Sequence, residues 1–433
     1  MSGIEHQKAG AQMHNPRSLH LLGVVSGLAA GAWLGGAEAP NKLTTELGHS
    51  PFLISLCMVC GVFTARWTLP TLMKGTGYIF ADLKEKPHLI VWAILAGALW
   101  AVANTLSIYA IRDVGLSVAF PLWNLNSLVG LFWGWLFFHE LRGASRETWA
   151  KVLGGAVAIV IGAVLLCYSS GVVTQAGSHS ASGIAAALGA ALMWGTMYIT
   201  YRKAYMSGLN PLSFVTIFVF GELGAMSLLA TFFFGGLSSL FDQMVAARAN
   251  LFWLFLGGFC WVIGDMFQHY AAKYIGISRG IPLSNTNQLW GLAWGALVFG
   301  ELSGGHALPL MAVAGSTVMI FGAAAICSAG ASDSEQHSWE KAMTRECDRY
   351  GLDFERVAAA HRGEDPVSNQ VSARRWWDVL IVAGAVAVFI WLATMARIPA
   401  VAMSIGWMAV LIVASLAVLV AATVMLWRMT KFS

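Results

Sequence analysis

Charge is scarce in this chain. Only 11% of its 433 residues are Asp, Glu, Lys or Arg, whereas an ordinary soluble domain carries about 25%. Hydrophobic residues make up 57% of the chain, and they gather into long uncharged runs. These runs predict a polytopic membrane protein surrounded by the lipid bilayer. The net charge of +4 is too small to indicate a nucleic-acid partner, and we expect none.

The sequence also lacks the patterns of common enzyme classes. It has no Gly-rich phosphate loop of the P-loop type, so nothing supports direct coupling to ATP hydrolysis. The 11 histidines are scattered without metal-ligand spacing, and the six cysteines form no disulfide framework of the secreted kind. We therefore expect no enzyme, no catalytic residue, no metal site and no bound cofactor.

One stretch of the sequence occurs twice. Residues 116–141 read LSVAFPLWNLNSLVGLFWGWLFFHEL, and residues 277–302 read ISRGIPLSNTNQLWGLAWGALVFGEL. A shift of 161 positions (277 − 116) aligns the two without a gap. The aligned pairs include Pro121 with Pro282, Asn124 with Asn285, Asn126 with Asn287, Trp133 with Trp294, and Glu140 with Glu301. The chain therefore contains two copies of one unit.

Apolar stretches of about 20 residues predict twelve membrane helices. They span 18–37, 52–73, 88–111, 116–139, 149–170, 182–201, 211–235, 250–274, 279–300, 307–329, 376–396 and 400–428. Lys and Arg collect in the segments on one side, which predicts that both termini are cytoplasmic. Each copy holds five helices, an odd number, so the second copy is inverted. The predicted fold class is an all-α integral membrane bundle of ten helices in a 5+5 inverted repeat, plus two C-terminal transmembrane helices.

Five segments follow from this topology. They are a cytoplasmic tail (1–17), the first repeat (18–170), the inverted second repeat (182–329), a cytoplasmic polar linker with short helices (330–375) and two extra transmembrane helices (376–433). Inverted repeats recur in secondary transporters because two halves can rock about a shared midplane site. The segment 330–433 has no counterpart in the repeat. A homodimer contact, contact with an unknown partner, regulation, a folding aid and an extension without substrate contact all stay open for it.

The ends of the repeated stretches resemble a known transporter motif. FFHELRGASRETWAKVLGG and VFGELSGGHALPLMAVAG look like the closing motif of EamA-type members of the drug/metabolite transporter superfamily. In that motif Phe-x-Gly-Glu ends a helix and a Gly-rich helix follows, whereas this chain has His139 in place of the first Gly. The form PLWN-x-N-x-L-x-G-x-x-WG is similar to the sugar-uptake branch, the glucose/ribose porter and rhamnose-symporter-like families.

The resemblance covers residues 18–329 and implies both an architecture and a function. It implies two inverted five-helix copies that import a sugar or similar polyhydroxylated solute across the bacterial cytoplasmic (inner) membrane. The same architecture also suits a ureide, a nucleobase, an amino acid, a drug or a lipid-linked sugar. A membrane sensor or scaffold that acts through 330–375 is the alternative of a different class.

Polar side chains inside apolar helices are candidates for the substrate site, because burying them in lipid is costly unless they are paired or face water. Asn126, Gly130 and Trp133 share one helix face, and Asn287 and Trp294 repeat that face in the second copy. Amides hydrogen-bond sugar hydroxyls and an indole stacks on a sugar ring; helix packing by the same residues stays open. The other substrate-binding candidates are Trp33, Asn104, Trp123, Asn124, Trp194, His269, Asn285, Gln288 and Trp290.

Two acids lie deep in apolar runs, Asp265 in GGFCWVIGDMFQHYAA and Glu222 in VTIFVFGELGAMSLL. Burial favours the protonated form of a carboxyl group, so either acid could carry the proton of a symporter driven by a proton gradient. His269 lies one turn after Asp265 and could share that proton, whereas the repeat partner of Asp265 is the neutral Asn104. A competing interpretation pairs Asp265 or Glu222 with Arg66 in a structural bridge.

An acid also ends the repeated stretch in each copy. Glu140 and Glu301 are predicted to lie near opposite membrane surfaces. Helix-end contacts and gating salt bridges both stay open for these two acids. Gating would suit alternating access, because one acid then lies at each exit.

Overall fold

The fold of the chain is helical throughout its described part. The computed structural model describes residues 16–37, 39–40, 51–114, 119, 122–169, 180–233, 235–300, 307–330, 333–364, 374–398 and 402–433. Its helices are α1 (Pro16–Gly36), α2 (Pro51–Met73), α3 (Thr76–Glu85), α4 (His88–Val114), α5 (Asn126–Phe138), α6 (Arg146–Ser169), α7 (Ser180–Met206), α8 (Pro211–Phe233), α9 (Gly236–Ala246), α10 (Leu251–Ile275), α11 (Ile277–Ser284), α12 (Asn287–Ala293), α13 (Ala307–Cys327), α14 (Asp333–Tyr350), α15 (Phe354–His361), α16 (Trp376–Met395) and α17 (Ile405–Thr430). A π-helical turn, Trp294–Val298, continues α12.

Ten of the helices in the described ranges are long and apolar enough to cross a membrane. They are α1, α2, α4, α6, α7, α8, α10, α13, α16 and α17. Each carries an apolar stretch long enough for a bilayer core about 30 Å thick. The protein is therefore an all-helical integral membrane protein in the part that the structure describes.

Two of the twelve predicted membrane helices, 116–139 and 279–300, are not continuous in the described residues. In the first, a turn at residues 124–125 precedes α5, which is a short helix. In the second, a turn at residues 285–286 separates α11 from α12. Pro282 lies inside α11, one turn before the second break. Both repeated stretches thus contain a helix break near the asparagines.

Two sets of closely packed helices form the centre of the bundle, one around α4 and one around α10. Helix α4 packs against α7 and α8, while α10 packs against α1 and α2. Gly97 and Gly221 bring the backbones of α4 and α8 together, and Gly61 and Gly258 do the same for α2 and α10. A side chain at any of these four positions would collide with the carbonyl of the facing helix. Small residues at helix interfaces are the usual means of close packing in lipid.

The segments beyond the repeat pack onto this bundle. Helices α14 and α15 form a pair around a small apolar cluster that includes Cys347 and Val357. Helix α16 packs against α2 and α10, and α17 packs against α1. At the start of α16, the Asp378 carboxylate accepts a hydrogen bond from the backbone N–H of Thr76 at 3.2 Å and another from its hydroxyl. The C-terminal helices are therefore integrated with the core.

Candidate functional site

A fully buried ion cluster lies at the contact of α2, α8 and α10. Arg66, Glu222 and Asp265 come from these three helices in turn, and each side chain is 0% exposed. The Nη2 atom of Arg66 donates to Oδ2 of Asp265 at 2.7 Å. Its Nη1 atom lies 3.4 Å from Oε2 of Glu222. Both acids that the sequence singled out therefore share the one arginine proposed as their structural partner.

The cluster continues through a histidine and a tyrosine. Nε2 of His269 lies 3.3 Å from Oδ2 of Asp265, and Nδ1 of His269 is hydrogen-bonded to the hydroxyl of Tyr205. A neutral imidazole has one donor and one acceptor nitrogen. When Nε2–H points to the Asp265 carboxylate, Nδ1 must therefore accept the Tyr205 proton. This order places three proton-carrying groups in a row from Tyr205 to Asp265, with a hydrogen bond at the Tyr205 end and an ion-pair contact, not a hydrogen bond, at the Asp265 end.

The charge count of the cluster determines how many protons it holds. With His269 neutral, Arg66 contributes +1 and the two ionised acids contribute −2, so the cluster carries −1. A net buried charge is costly, and one bound proton removes it. Neither carboxylate oxygen of Glu222 accepts a hydrogen bond from the described residues. Asp265 has the shorter contact with Arg66, so Glu222 is the acid better placed to take that proton.

A second polar site lies where the two broken helices meet. The amide Nδ2 of Asn285, at the end of α11, donates to Oδ1 of Asn126, at the start of α5, at 3.3 Å. Both side chains are buried. Asn124 is also buried, and its Nδ2 has no hydrogen-bond partner among the described residues. Asn287 lies beside Gln288, whose Nε2 donates to it at 3.2 Å. One asparagine from each copy thus comes together with the other, and Asn126 contacts Asn285 rather than its own repeat partner, Asn287.

A single hydrogen bond connects the two polar sites. Gln268 lies between Asp265 and His269 on α10, and its Nε2 donates to Oγ of Ser284 at 2.6 Å. Ser284 immediately precedes Asn285 in the chain. Both Gln268 and Ser284 are buried. A shift of α10 at the ion cluster would therefore reach the helix break directly.

Sequence reasoning missed four members of this network: Tyr198, Tyr205, Gln268 and Ser284. Tyr198 lies on α7, where its ring faces Gly130 of α5 and its hydroxyl approaches Gln268. Gln268 was detectable as an amide inside an apolar helix, one turn from Asp265. Tyrosine is common in apolar runs, so the sequence carries no signal that separates Tyr198 or Tyr205 from ordinary core aromatics.

The predicted tryptophans do not converge on one site. On the α5 and α7 side, Nε1 of Trp133 donates to Oγ1 of Thr196 at 3.3 Å, and Trp123 packs edge-on against Trp194 with ring centroids 6.0 Å apart. Trp123 and Trp133 lie close to Asn126 in the chain, and Gly195, next to Trp194, packs against the Asn126 carbonyl. None of the contacts described for these three indoles is with a repeat-related indole.

The other predicted tryptophans contact the appended helix α17 or a surface groove. Nε1 of Trp33 donates to the Ser415 carbonyl at 3.1 Å, and Trp294 packs in an apolar cluster with Leu411. Trp290 lines a groove between α1, α12, α13 and α17. Asn104 is also separate from the ion cluster in its hydrogen bonding, because its Nδ2 donates to Oγ of Ser55 at 3.2 Å.

Glu140 connects the end of α5 to the second repeat. Its carboxylate accepts hydrogen bonds from the backbone N–H groups of Ile277 at 3.2 Å and Ser278 at 2.8 Å, at the start of α11. Nε of Arg202 on α7 lies 3.0 Å from Oε1. Glu140 is only 3% exposed, so this contact is a buried one. The corresponding prediction for Glu301 lies outside the described residues.

The bundle of long apolar helices encloses a buried ion cluster, an arrangement in which ionisable groups within membrane helices are candidates for function. Residues 185–347 match the family described as "Sugar transport protein". The resemblance to sugar-uptake transporters predicted from the repeated stretch is therefore confirmed, and a transporter rather than an enzyme is the class that it implies. Placement in the drug/metabolite transporter superfamily stays a prediction. The match includes most of the second repeat and continues into α14.

Curated relatives match shorter stretches of the chain. A "Putative sugar uptake protein" of Lactobacillus johnsonii is 35% identical over 94 residues, which are 22% of this chain and 32% of that protein. Another of that description, from Streptococcus agalactiae, is 30% identical over 77 residues, 18% of this chain and 26% of that protein. The chain thus spans about a quarter to a third of the length of the relatives it matches.

Proposed function

We propose that this chain is a secondary active transporter that imports a sugar or similar polyhydroxylated solute together with protons. The observation that carries the proposal is the hydrogen bond between Gln268 and Ser284, which joins a buried ion cluster to a buried asparagine pair. A symporter needs such a connection, because the binding of the proton and the binding of the solute must influence each other. The family match supports the solute class.

The proton acts at the ion cluster. Arg66 stays paired with Asp265, while Glu222 binds and releases one proton, which switches the cluster between a net charge of −1 and zero. In a low-dielectric interior the neutral cluster tolerates loss of water and helix movement better than the charged one. His269 and Tyr205 provide the path along which the proton reaches Asp265 and its neighbours.

The solute binds at the helix breaks. Asn126 and Asn285 hydrogen-bond each other in this structure, and a polyol would replace that single bond with bonds from both amides. Helix breaks also leave backbone carbonyls free to face a cavity, as in other transporters whose membrane helices are discontinuous. Asn124 adds a buried amide with an unused donor. Solute binding at this place pulls on Ser284 and so reaches Gln268.

Alternating access follows from the arrangement of the two copies. The pairs α4–α7 and α4–α8 in one part have their counterparts in α10–α1 and α10–α2, which supports an inverted repeat of 18–170 and 182–329. In the predicted orientation both termini face the cytoplasm of a bacterial inner membrane, and Glu140 then lies at an exit that opens and closes. A homodimer or another partner would bind through 330–433.

A lipid-linked sugar is a second candidate solute. The groove that contains Trp290 is apolar, and two of its lining side chains, Leu28 (40% exposed) and Ile320 (57% exposed), reach the outer surface of the bundle. An acyl or prenyl chain fits such a groove, with Thr286 at its polar end. Transport of a lipid-linked substrate would therefore place the lipid chain outside the bundle and the sugar at the helix break.

Proteoliposome uptake distinguishes these proposals. The purified full chain is reconstituted and tested with a panel of free sugars, ureides and nucleobases, with and without an imposed pH gradient, against protein-free liposomes. Accumulation of a free sugar only under the gradient is the expected result. Glu147→Gln, which removes an exposed acid on α6, is the matched control for later acid variants. Gradient-independent flipping of a lipid-linked sugar, with no free sugar moved, would replace the first proposal by the second.

A further inference from the structure

Helices α14 and α15 contact the first repeat at one end of the bundle. We name residues 333–364 the docked module. The ring of Tyr350 stacks on the ring of His88, at the start of α4, with centroids 3.9 Å apart. Nη2 of Arg345 lies 3.4 Å from Nε2 of His139, just beyond α5. These contacts fasten the docked module to the first predicted half.

The docked module also contacts the second repeat at the same end. Nζ of Lys203 on α7 pairs with both carboxylate oxygens of Glu346, at 2.6 and 2.7 Å. The guanidinium of Arg202 lies over the ring of Trp339, 5.0 Å from its centroid. On the other side, Oγ of Ser433, just beyond α17, donates to the Glu364 carbonyl at 2.6 Å, and α17 packs against α1. The docked module therefore connects the α4–α7 group of helices to the α1–α17 group, and these two groups must separate at this end if the proposed alternating access is correct.

One contact between the halves lies directly next to the docked module. Arg202, which faces Trp339, also forms the 3.0 Å ion pair with Glu140 that joins α5 to α7. Tyr205, three residues further along α7, is hydrogen-bonded to His269 of the ion cluster. The end of α7 is thus shared by the docked module, by the Glu140 contact and by the ion cluster.

We propose that the docked module is an autoinhibitory latch, which holds the Glu140–Arg202 end of the bundle closed and undocks on acidification. Ala342 and Val357 pack against the bundle, but the other contacts described for the interface are mainly ion pairs and ring contacts with basic groups. Such contacts exchange for water more readily than a large apolar face, which suits release. Separation of α5 from α11 at Glu140 requires Arg202 to move, and the ring of Trp339 restrains Arg202 as long as the latch is docked.

His361 makes the latch sensitive to acid. This residue ends α15 and is buried against Trp339, with ring centroids 4.3 Å apart. Burial, and then the charges of Lys273 and Arg202, hold the pKa of His361 well below its usual value; the Tyr205 backbone opposes the shift. The docked state therefore keeps His361 neutral. Docking is complete above about pH 6.5, the ordinary histidine value, and weakens as the pH falls below it.

Other titratable groups face the docked module as well. The pKa of His139 is lowered by burial and by the neighbouring charges of Arg142 and Arg345, so its protonation acts in the same direction. His88 lies on the opposite edge, against Tyr350. Protonation of His361 or His139 adds positive charge next to lysine and arginine side chains, whereas His88 faces the Glu346 carboxylate as well as Lys203 and Lys86. His361 is the most deeply buried of them and contributes most.

Hydrogen exchange with mass spectrometry on the detergent-solubilised full chain tests the latch without any solute. Glu346→Lys should speed exchange about tenfold in the docked module and also at the amides of Ile277 and Ser278, which Glu140 holds. The charge swap Lys203→Glu with Glu346→Lys should restore both to near the parent rates. Glu147→Lys, the same charge change on an exposed position, should alter neither.

Two outcomes would overturn the latch. In the first, Glu346→Lys loosens the docked module while the amides of Ile277 and Ser278 stay protected, which makes the module simple packing. In the second, the charge swap fails to restore protection. Because no substrate enters this experiment, a failure of sugar uptake in proteoliposomes leaves its result unchanged, and the two proposals fail separately.

A pH series tests the role of His361. Between pH 7.5 and 5.5, exchange in the docked module, corrected for the intrinsic rate of each amide, should rise in the parent protein. His361→Gln should remove most of that rise, and His139→Gln a smaller part. An equal rise in the parent and in His361→Gln would refute acid release through His361.

Discussion

Replacing Arg66 by Met should strongly destabilise the protein, because it leaves two buried acids without their cation. At an effective dielectric constant of about 20, the 2.7 Å contact with Asp265 is worth about 6 kcal/mol and the 3.4 Å contact with Glu222 about 5 kcal/mol. Desolvation of the three ions offsets most of this attraction. Breaking a buried pair by removing one partner has a measured cost of about 3–5 kcal/mol, and we expect a loss in that range.

The guanidinium of Arg66 also lies 3.8 Å from the centroid of the Phe218 ring. A cation–π contact of this kind contributes about 0.5–2 kcal/mol. Methionine keeps the apolar contact with the ring but not the charge, so the substitution isolates the electrostatic part of the loss. The loss should shrink as the pH falls, because protonation removes the unpaired charges of Asp265 and Glu222.

Denaturant unfolding in detergent micelles measures the free energy of unfolding. The triple variant Arg66→Met, Asp265→Asn, Glu222→Gln should recover most of the lost stability, since it buries no charge at all. Glu222→Gln alone should lie within about 1 kcal/mol of the parent, because Arg66 keeps Asp265. Equal stability of Arg66→Met and the parent, or a triple variant no better than Arg66→Met, would refute the assignment of this cluster as a set of mutually dependent ions.

Three further predictions concern the site and its exit. Asp265→Asn leaves Arg66 and Glu222 neutral without a bound proton, so gradient-driven accumulation should disappear while solute exchange persists; pH-dependent accumulation equal to that of the parent contradicts this. Asn126→Ala and Asn285→Ala should each weaken solute binding about fivefold to tenfold in a direct binding assay, and the double variant should lose less than the product, because the two amides share one bond. Full additivity would return both residues to independent packing roles. Glu140→Gln should lower the free energy of unfolding by about 1–3 kcal/mol, since it removes the carboxylate charge that faces the buried Arg202 guanidinium, whose Nη1 keeps its hydrogen bonds to the Ala272 and Lys273 carbonyls; an unchanged unfolding midpoint would show that the ion pair contributes no stability.

Patterns local in the sequence predicted much of the fold. Apolar runs marked the ten long helices, because each must shield its own backbone polar groups from lipid. The helix breaks were harder to predict. Pro121 and Pro282 lie in the repeated stretches, but proline also occurs in continuous membrane helices. Only the neighbouring helices decide whether such a stretch kinks or breaks into two.

The candidate site was predicted by residue type and only in part by geometry. Asp265, Glu222 and Arg66 were evident as ionisable groups in apolar runs, and the sequence left open whether they couple or only pair. The structure shows all three in one cluster, a long-range contact that no local pattern encodes. A role in solute binding for the repeat-related Trp133 and Trp294 stays a prediction, and their surroundings differ between the two copies. Trp294 packs toward α17, which has no counterpart in the first copy.

The four glycines at the helix crossings also determine where the molecule can bend. At Gly97 and Gly221, and again at Gly61 and Gly258, the backbones touch without intervening side chains, so there is no layer of flexible groups to shear. Each crossed pair of helices must therefore move as one rigid body. The helices must therefore bend at other positions. The turns at 124–125 and 285–286 interrupt the helical hydrogen-bond ladder within the described repeated stretches. The asparagines in and beside these turns would then lie at hinges, where a small displacement of a bound ligand produces a large tilt of the adjoining helix.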